Sequence, residues 1–68
     1  MNNIFKKWIR EEALSRTDEF TSKMIMQKII DDRGSSPYIC DAAAIGWYLG
    51  RLEGIVRIKE GIYKVAIQ

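Results

Sequence analysis

The first quarter of the chain carries apolar side chains at helical spacing, with charged residues between them. The apolar positions recur at roughly three- to four-residue intervals, at Phe5, Trp8, Ile9 and Leu14. Such spacing places these side chains on one face of a helix. Asn3 can accept a hydrogen bond from the free N–H groups at a helix start. The pattern therefore predicts a helix over residues 3–15.

A second helix is predicted to begin after a polar link. Phe20 is followed by two hydroxyl residues, Thr21 and Ser22, and either can act as an N-cap. Phe20 stands just outside the cap, where an apolar side chain can pack back onto the first turn as a hydrophobic staple. The expected buried positions and the C-terminal residue of this helix are Ile25, Ile29 and Gly34.

The third helix has two candidate starting points. Ser36 followed by Pro37 is one start signal, and Asp41 is a competing N-cap. Apolar residues then step by three or four positions, which predicts a buried stripe that ends before Gly54. The members of this stripe are Tyr38, Ala42, Ile45, Leu49 and Leu52.

From residue 55 the apolar spacing changes to every second position, which predicts β-strands. Glu60 and Gly61 can form a tight turn, with Gly61 in the positive-φ conformation that such turns require. A turn at these two residues sets Val56 opposite Val65 on the buried face. The C-terminal segment is therefore predicted to be a β-hairpin.

The same register brings three cations together on the hairpin. Arg57 would lie directly across from Lys64, with Lys59 diagonally near them on the same face. Three basic side chains without an acidic one form a suitable clamp for phosphates. The alternative is a solvated face whose mutual repulsion is screened by salt.

The predicted order is helix, helix, helix and hairpin, in one domain over residues 1–68. An isolated hairpin is marginally stable in water, so its apolar face is expected to lie on the helices. The fold class is therefore α+β and mostly α, in the layout of a winged helix-turn-helix.

Composition excludes most catalytic chemistry. The chain has no histidine and one cysteine, Cys40, so it lacks imidazole chemistry, internal disulfides and zinc-finger ligands. The adjacent acidic pairs 11–12 and 31–32 would point about 100° apart on a helix. We expect no enzyme activity, no metal, no cofactor and no small-molecule substrate.

The N-terminal sequence and the distribution of charge indicate the expected location and the expected kind of partner. The N-terminus has no apolar run of signal-peptide length, and no stretch is long enough to cross a bilayer, so we expect a soluble, cytoplasmic protein. The net charge is +2, and residues 54–68 hold three basic side chains against one acidic side chain. The whole cationic excess therefore lies in the hairpin segment, which is compatible with a polyanionic partner.

The third helix presents a second candidate surface. With its apolar stripe inward, the opposite face carries Cys40, Ala44, Trp47 and Arg51, flanked by Asp41 and Tyr48. A recognition helix presents such a face to the major groove, where arginine can bind guanine or a phosphate. The alternative for the two aromatic residues is core packing or a contact with another chain.

Two glycines in the third helix require an explanation, because each costs about 1 kcal/mol relative to alanine inside a helix. Gly46 and Gly50 form a strip of small side chains together with Ala43. Close approach of another helix is the expected reason, and close approach of a DNA backbone is the alternative.

Several segments together resemble short winged-helix DNA-binding proteins, most of all small regulators of archaea and their mobile elements. The similarity covers about residues 20–67, although the distance from the second to the third helix indicates an extension at residues 35–40. The segments are Phe20-Thr21-Ser22-x-x-Ile25, then Ile45-Gly46-x-Tyr48-Leu49-x-Arg51-Leu52-x-x-Ile55-Val56-Arg57, then Gly61-x-Tyr63-x-Val65.

The resemblance implies that the third helix enters the major groove while the hairpin wing contacts the DNA backbone. The residues it assigns to the groove are Asp41, Ala44, Trp47, Tyr48 and Arg51. Those it assigns to the wing are Arg57, Lys59 and Lys64.

The sequence thus predicts a regulator of transcription that binds double-stranded DNA, as a homodimer. The apolar residues Phe5, Trp8 and Ile9 are the expected dimer interface, with core packing as the alternative. A different class of function, a winged-helix module that binds another protein, is favoured by the weak net charge and the apolar third helix.

Overall fold

The computed structural model describes residues 3–34 and 41–66. In these ranges three helices precede an antiparallel two-stranded hairpin, which confirms the predicted α+β, winged-helix-like layout. None of the described helices is long and apolar enough to cross a membrane. The elements are α1 (Asn3–Leu14), α2 (Ser22–Arg33), α3 (Ala42–Leu49), β1 (Ile55–Lys59) and β2 (Ile62–Val65).

Both ends of α2 follow the local signals. Thr21 is the N-cap, and its hydroxyl accepts a hydrogen bond of 3.2 Å from the N–H of Met24. Gly34 follows the last turn at φ 76°, and its N–H donates to the carbonyl of Ile30 at 2.8 Å. A positive φ is costly for residues with a side chain, which explains why glycine ends this helix.

The start of α3 is set by Asp41, one of the two candidate caps. Its carboxylate accepts a hydrogen bond of 2.9 Å from the N–H of Ala44. The competing signal at Ser36 and Pro37, and the predicted stripe residue Tyr38, lie outside the described residues. The helix ends at Leu49, earlier than predicted, and Leu52 packs against the core from the turn that follows.

The three helices enclose an apolar core. Phe5 and Ile9 of α1 are both 0% exposed, so they have no surface to offer to another chain. This corrects the predicted dimer interface, in which only Trp8 keeps partial exposure. The other core side chains of the helices are Ala13, Ile25, Ile29, Ile45 and Leu49.

Arg33 connects the end of α2 to the surface of α1. Its guanidinium forms an ion pair of 2.9 Å with Glu11 and lies 5.0 Å from the centre of the Trp8 ring. Trp8 also meets the edge of Phe5, with ring centres 6.3 Å apart. Because the ion pair is partly exposed, it contributes at most about 1 kcal/mol, so burial of the aromatic rings stabilises this contact more than the ion pair does.

The pairing of the two strands agrees with the prediction next to the turn and differs from the prediction farther from the turn. Lys59 pairs with Ile62 around Glu60 and Gly61, and Gly61 has φ 81°, as predicted. An irregularity between residues 57 and 59 then shifts the pairing by one position. The resulting pairs are Arg57 with Tyr63, Val56 with Lys64 and Ile55 with Val65.

The predicted pairing of Arg57 with Lys64 is therefore wrong, and the reason is a bulge in β1. One extra residue in a strand reverses which side chains face the core beyond it. Here the shift buries Ile55 and Tyr63, while Val56 and Ile58 remain 42% and 47% exposed. The bulge thus lets the larger aromatic side chain of β2 enter the core.

The link before α2 supplies a further strand contact, which the sequence did not indicate. The N–H of Phe20 donates to the carbonyl of Tyr63 at 2.9 Å, and the N–H of Tyr63 donates to the carbonyl of Phe20 at 2.8 Å. Their rings stack with centres 6.2 Å apart. Phe20 therefore joins the hairpin to the start of α2, on the side of β2 away from β1.

Tyr63 also explains the glycine in the middle of α3. A Cβ atom at Gly46 would lie 3.1 Å from the tyrosine hydroxyl, which donates a hydrogen bond of 3.2 Å to the Gly46 carbonyl. Ser22 at the start of α2 is the next neighbour, at 3.7 Å. The hairpin, more than another helix, thus requires the glycine. Gly50 meets only backbone of its own helix, and Ala43 is exposed, so the predicted helix packing is wrong for these two residues.

We expect the Gly46→Ala substitution to depend on Tyr63. Alanine adds about 1 kcal/mol of helix propensity, but its methyl group crowds the phenolic oxygen. In a Tyr63→Phe background the oxygen is gone, so the same substitution should stabilise the protein. Urea unfolding of the four variants of this cycle should show a coupling energy of at least about 0.5 kcal/mol. Additive effects would contradict the contact.

Candidate nucleic-acid interface

The outer face of α3 is open to solvent. Its inner residues Ile45 and Leu49 are fully buried, whereas Trp47 is 61% exposed. Core packing, one alternative for Trp47, is thereby wrong. Tryptophan is enriched at surfaces that contact other molecules, because its ring is apolar while its indole N–H can donate a hydrogen bond.

Arg51 stacks on this exposed ring. It lies two residues beyond the end of α3, and its Cζ atom lies 4.2 Å from the centre of the Trp47 ring. Its backbone N–H donates to the carbonyl of Tyr48 at 3.0 Å, which fixes the chain at the helix end. In the described parts of the chain no carboxylate lies within ion-pair distance of the Arg51 guanidinium. Its charge is therefore free for an external anion.

Arg57 reaches the same region from the hairpin. It pairs with Tyr63, whose side chain points to α3, so Arg57 lies on the hairpin face that borders the helix. Arg51 and Arg57, predicted as contacts on two separate elements, thus share one open cleft of about 390 Å³. Its lining contains no acidic residue and consists of Gly46, Trp47, Gly50, Arg51, Arg57 and Tyr63.

The other two cations of the wing lie on the opposite face. Lys64 pairs with Val56, and Lys59 pairs with Ile62, two positions before Lys64 in β2. Side chains alternate between the two faces along a strand. Lys59 and Lys64 therefore lie on one face of the hairpin, and Arg57 lies on the other. The predicted clamp of three cations on one face is wrong, and the bulge in β1 is the physical cause.

Two of the remaining predicted contacts, Asp41 and Tyr48, have roles in the fold. Asp41 uses its carboxylate to cap α3, and the half-buried Tyr48 packs against the core. Ala44 is half-buried beside the open face. Among these residues, only Ala44 is small enough to let a ligand approach the helix closely.

Tyr63 and Gly46 are part of the cleft, and the sequence did not assign them to it. The signal that pointed to them was indirect: a glycine in a helix interior indicates close approach of another group. Which group approaches depends on the hairpin register. In the described ranges, no three side chains of His, Cys, Asp or Glu come together as a metal site would require.

Comparison of the chain with models of protein families, with curated proteins and with solved structures found no match. The resemblance to small archaeal regulators therefore stays a prediction. Any function proposed for the protein depends on the geometry of the cleft.

The exposure of Trp47 can be checked by fluorescence. In a Trp8→Phe variant Trp47 is the only tryptophan, and its emission should resemble that of free tryptophan and be strongly quenched by acrylamide. In Trp47→Phe the remaining Trp8 should emit at shorter wavelength and be quenched less, because it packs against Phe5 and Arg33. Circular dichroism confirms the fold of both variants. The opposite order of quenching would contradict the open face.

Proposed function

We propose that the protein binds double-stranded DNA in a sequence-dependent way and acts as a cytoplasmic regulator of transcription. In this proposal α3 enters the major groove and the hairpin lies along the phosphate backbone. The observation that carries the proposal is the cleft in which Arg51 and Arg57 lie beside the exposed Trp47.

The dimensions and charge of this region suit a duplex. The major groove is about 12 Å wide and admits a single helix. The outer face of α3 has small side chains at Ala43 and Ala44, so bases can approach the helix. Arg57 stands on the other side of the cleft, where a phosphate could bind to it by charge-assisted hydrogen bonds.

In this proposal the three basic residues of the hairpin do not contribute equally to DNA binding. Arg57 borders the cleft directly, whereas Lys59 and Lys64 lie on the far face of the hairpin. We therefore assign the main phosphate contact of the wing to Arg57, with the two lysines as weaker, long-range contributors.

The homodimer also belongs to the proposal. A twofold axis would place two copies of α3 in successive major grooves, about 34 Å apart. One protomer measures 31 Å in its longest dimension, so two copies can span this distance. With Phe5 and Ile9 in the core, Trp8 is the residue of the predicted interface that remains partly exposed.

A module that binds another protein is the second candidate. Val56 and Ile58 of the hairpin are more than two-fifths exposed, and the net charge of +2 is modest. Under this alternative the hairpin docks on a protein and the protein has no affinity for DNA.

Measuring duplex binding by fluorescence anisotropy at several salt concentrations distinguishes a DNA-binding protein from a protein-binding module. For DNA binding, the logarithm of the association constant should fall linearly with the logarithm of salt concentration. Arg57→Gln should reduce this slope by about one, because one phosphate contact is lost. Lys64→Gln should reduce it less.

Lys7→Gln is the control of matched charge. Lys7 is exposed on α1, two residues from the buried Phe5 and thus on the side away from the core, so its loss should leave the slope unchanged. A folded protein that binds no duplex at low salt would favour the protein-binding module. If Lys7→Gln and Arg57→Gln reduced the slope equally, this result would show that the cleft is not part of the DNA interface.

A further inference from the structure

The stack of Arg51 on Trp47 has a consequence for which bases the protein would prefer. A guanidinium group is planar, and its five N–H donors lie in that plane. The guanidinium Cζ lies 4.2 Å from the ring centre, so the indole covers one side of the group. Within the described residues no carboxylate forms an ion pair with Arg51, so its donors remain available to a ligand in the groove.

The free edge of a stacked arginine fits guanine in particular. Guanine presents two acceptors, O6 and N7, side by side in the major groove, and the arginine fork binds both at once. A phosphate could bind the same fork, but Arg57 already offers a cation to the backbone at the border of the cleft. Stacking also restrains the long side chain before binding, which reduces the entropy lost when the base is contacted.

Trp47 itself offers an apolar surface beside this fork. The methyl group of thymine is the apolar group on the major-groove edge of the bases. The Cζ atom of Arg51 lies 4.2 Å from the centre of the Trp47 ring, and neighbouring bases along a strand are about 3.4 Å apart. Trp47 and Arg51 are therefore close enough to each other to contact bases one or two steps apart.

We propose that Arg51 recognises guanine and that Trp47 both orients its guanidinium and contacts the methyl group of a nearby thymine. The preferred DNA sites would then contain guanine within two steps of thymine. This inference rests on the proposed function, because it requires α3 to lie in the major groove.

Selection from random duplexes is the first test. The unmodified protein should enrich sites with guanine near thymine. Arg51→Gln should lose the guanine and shift the preference towards adenine, which glutamine binds through N6 and N7. Trp47→Leu, which keeps an apolar side chain but removes the stack, should weaken the preference for guanine.

Base analogues in the selected duplex are the second test. Replacing the guanine with 7-deazaguanine removes the N7 acceptor and should weaken binding by about 5- to 150-fold. The same replacement should have no effect on Arg51→Gln, and its full effect on the control Lys7→Gln. Replacing the thymine with uracil removes one methyl group and should weaken binding by about fourfold, but not in Trp47→Ala.

The outcomes distinguish this inference from the function on which it rests. Duplex binding with a normal salt slope but no enriched guanine would overturn the inference and leave DNA binding intact. Equal sensitivity of Arg51→Gln and the unmodified protein to 7-deazaguanine would also overturn it, since a group other than Arg51 would then contact N7. Absence of duplex binding at any salt concentration would overturn both.

Discussion

The packing of Tyr63 is the constraint on which the rest of the structure depends. Its backbone pairs with Phe20, its ring stacks on that residue, and its hydroxyl donates to the carbonyl of Gly46. Each hydrogen bond adds about 1 kcal/mol net, and burial of an aromatic side chain adds about 1.5–3 kcal/mol. Since a hairpin alone is marginally stable, these contacts of Tyr63 together hold the wing against the helices.

The position of the cationic cleft follows from that packing. Arg57 pairs with Tyr63, so holding the tyrosine against α3 also brings Arg57 to the end of the helix where Arg51 lies. Both arginines are exposed, so water and salt weaken the repulsion between their charges. An anion in the cleft would turn this repulsion into attraction to the shared ligand.

The two tryptophans show how tertiary context determines the role of a residue type. Each lies close to an arginine, Trp8 to Arg33 and Trp47 to Arg51. Arg33 is engaged by Glu11 as well, and Trp8 packs against the core, so this cluster joins α1 to α2. Arg51 has no such acidic partner in the described ranges, and Trp47 faces solvent. The first pair is structural, whereas the second is open to a ligand.

The sequence by itself determined the features that depend on neighbours along the chain. The sequence placed the N-cap of α2 at Thr21 or Ser22, its end at Gly34 and the hairpin turn at Glu60 and Gly61, because each involves residues within four positions. The apolar spacing also placed Ile45 inward, since helical periodicity is a local property.

Only the tertiary structure decided the strand register and the composition of the site. Ile55, Val56 and Ile58 are all apolar, so alternation alone could not tell which of them face the core. The choice depends on burying Ile55 together with Tyr63, and that contact forms only when the hairpin meets Phe20 and α3. Long-range packing therefore selected the bulge, separated Arg57 from the lysines of the wing and brought it to Arg51.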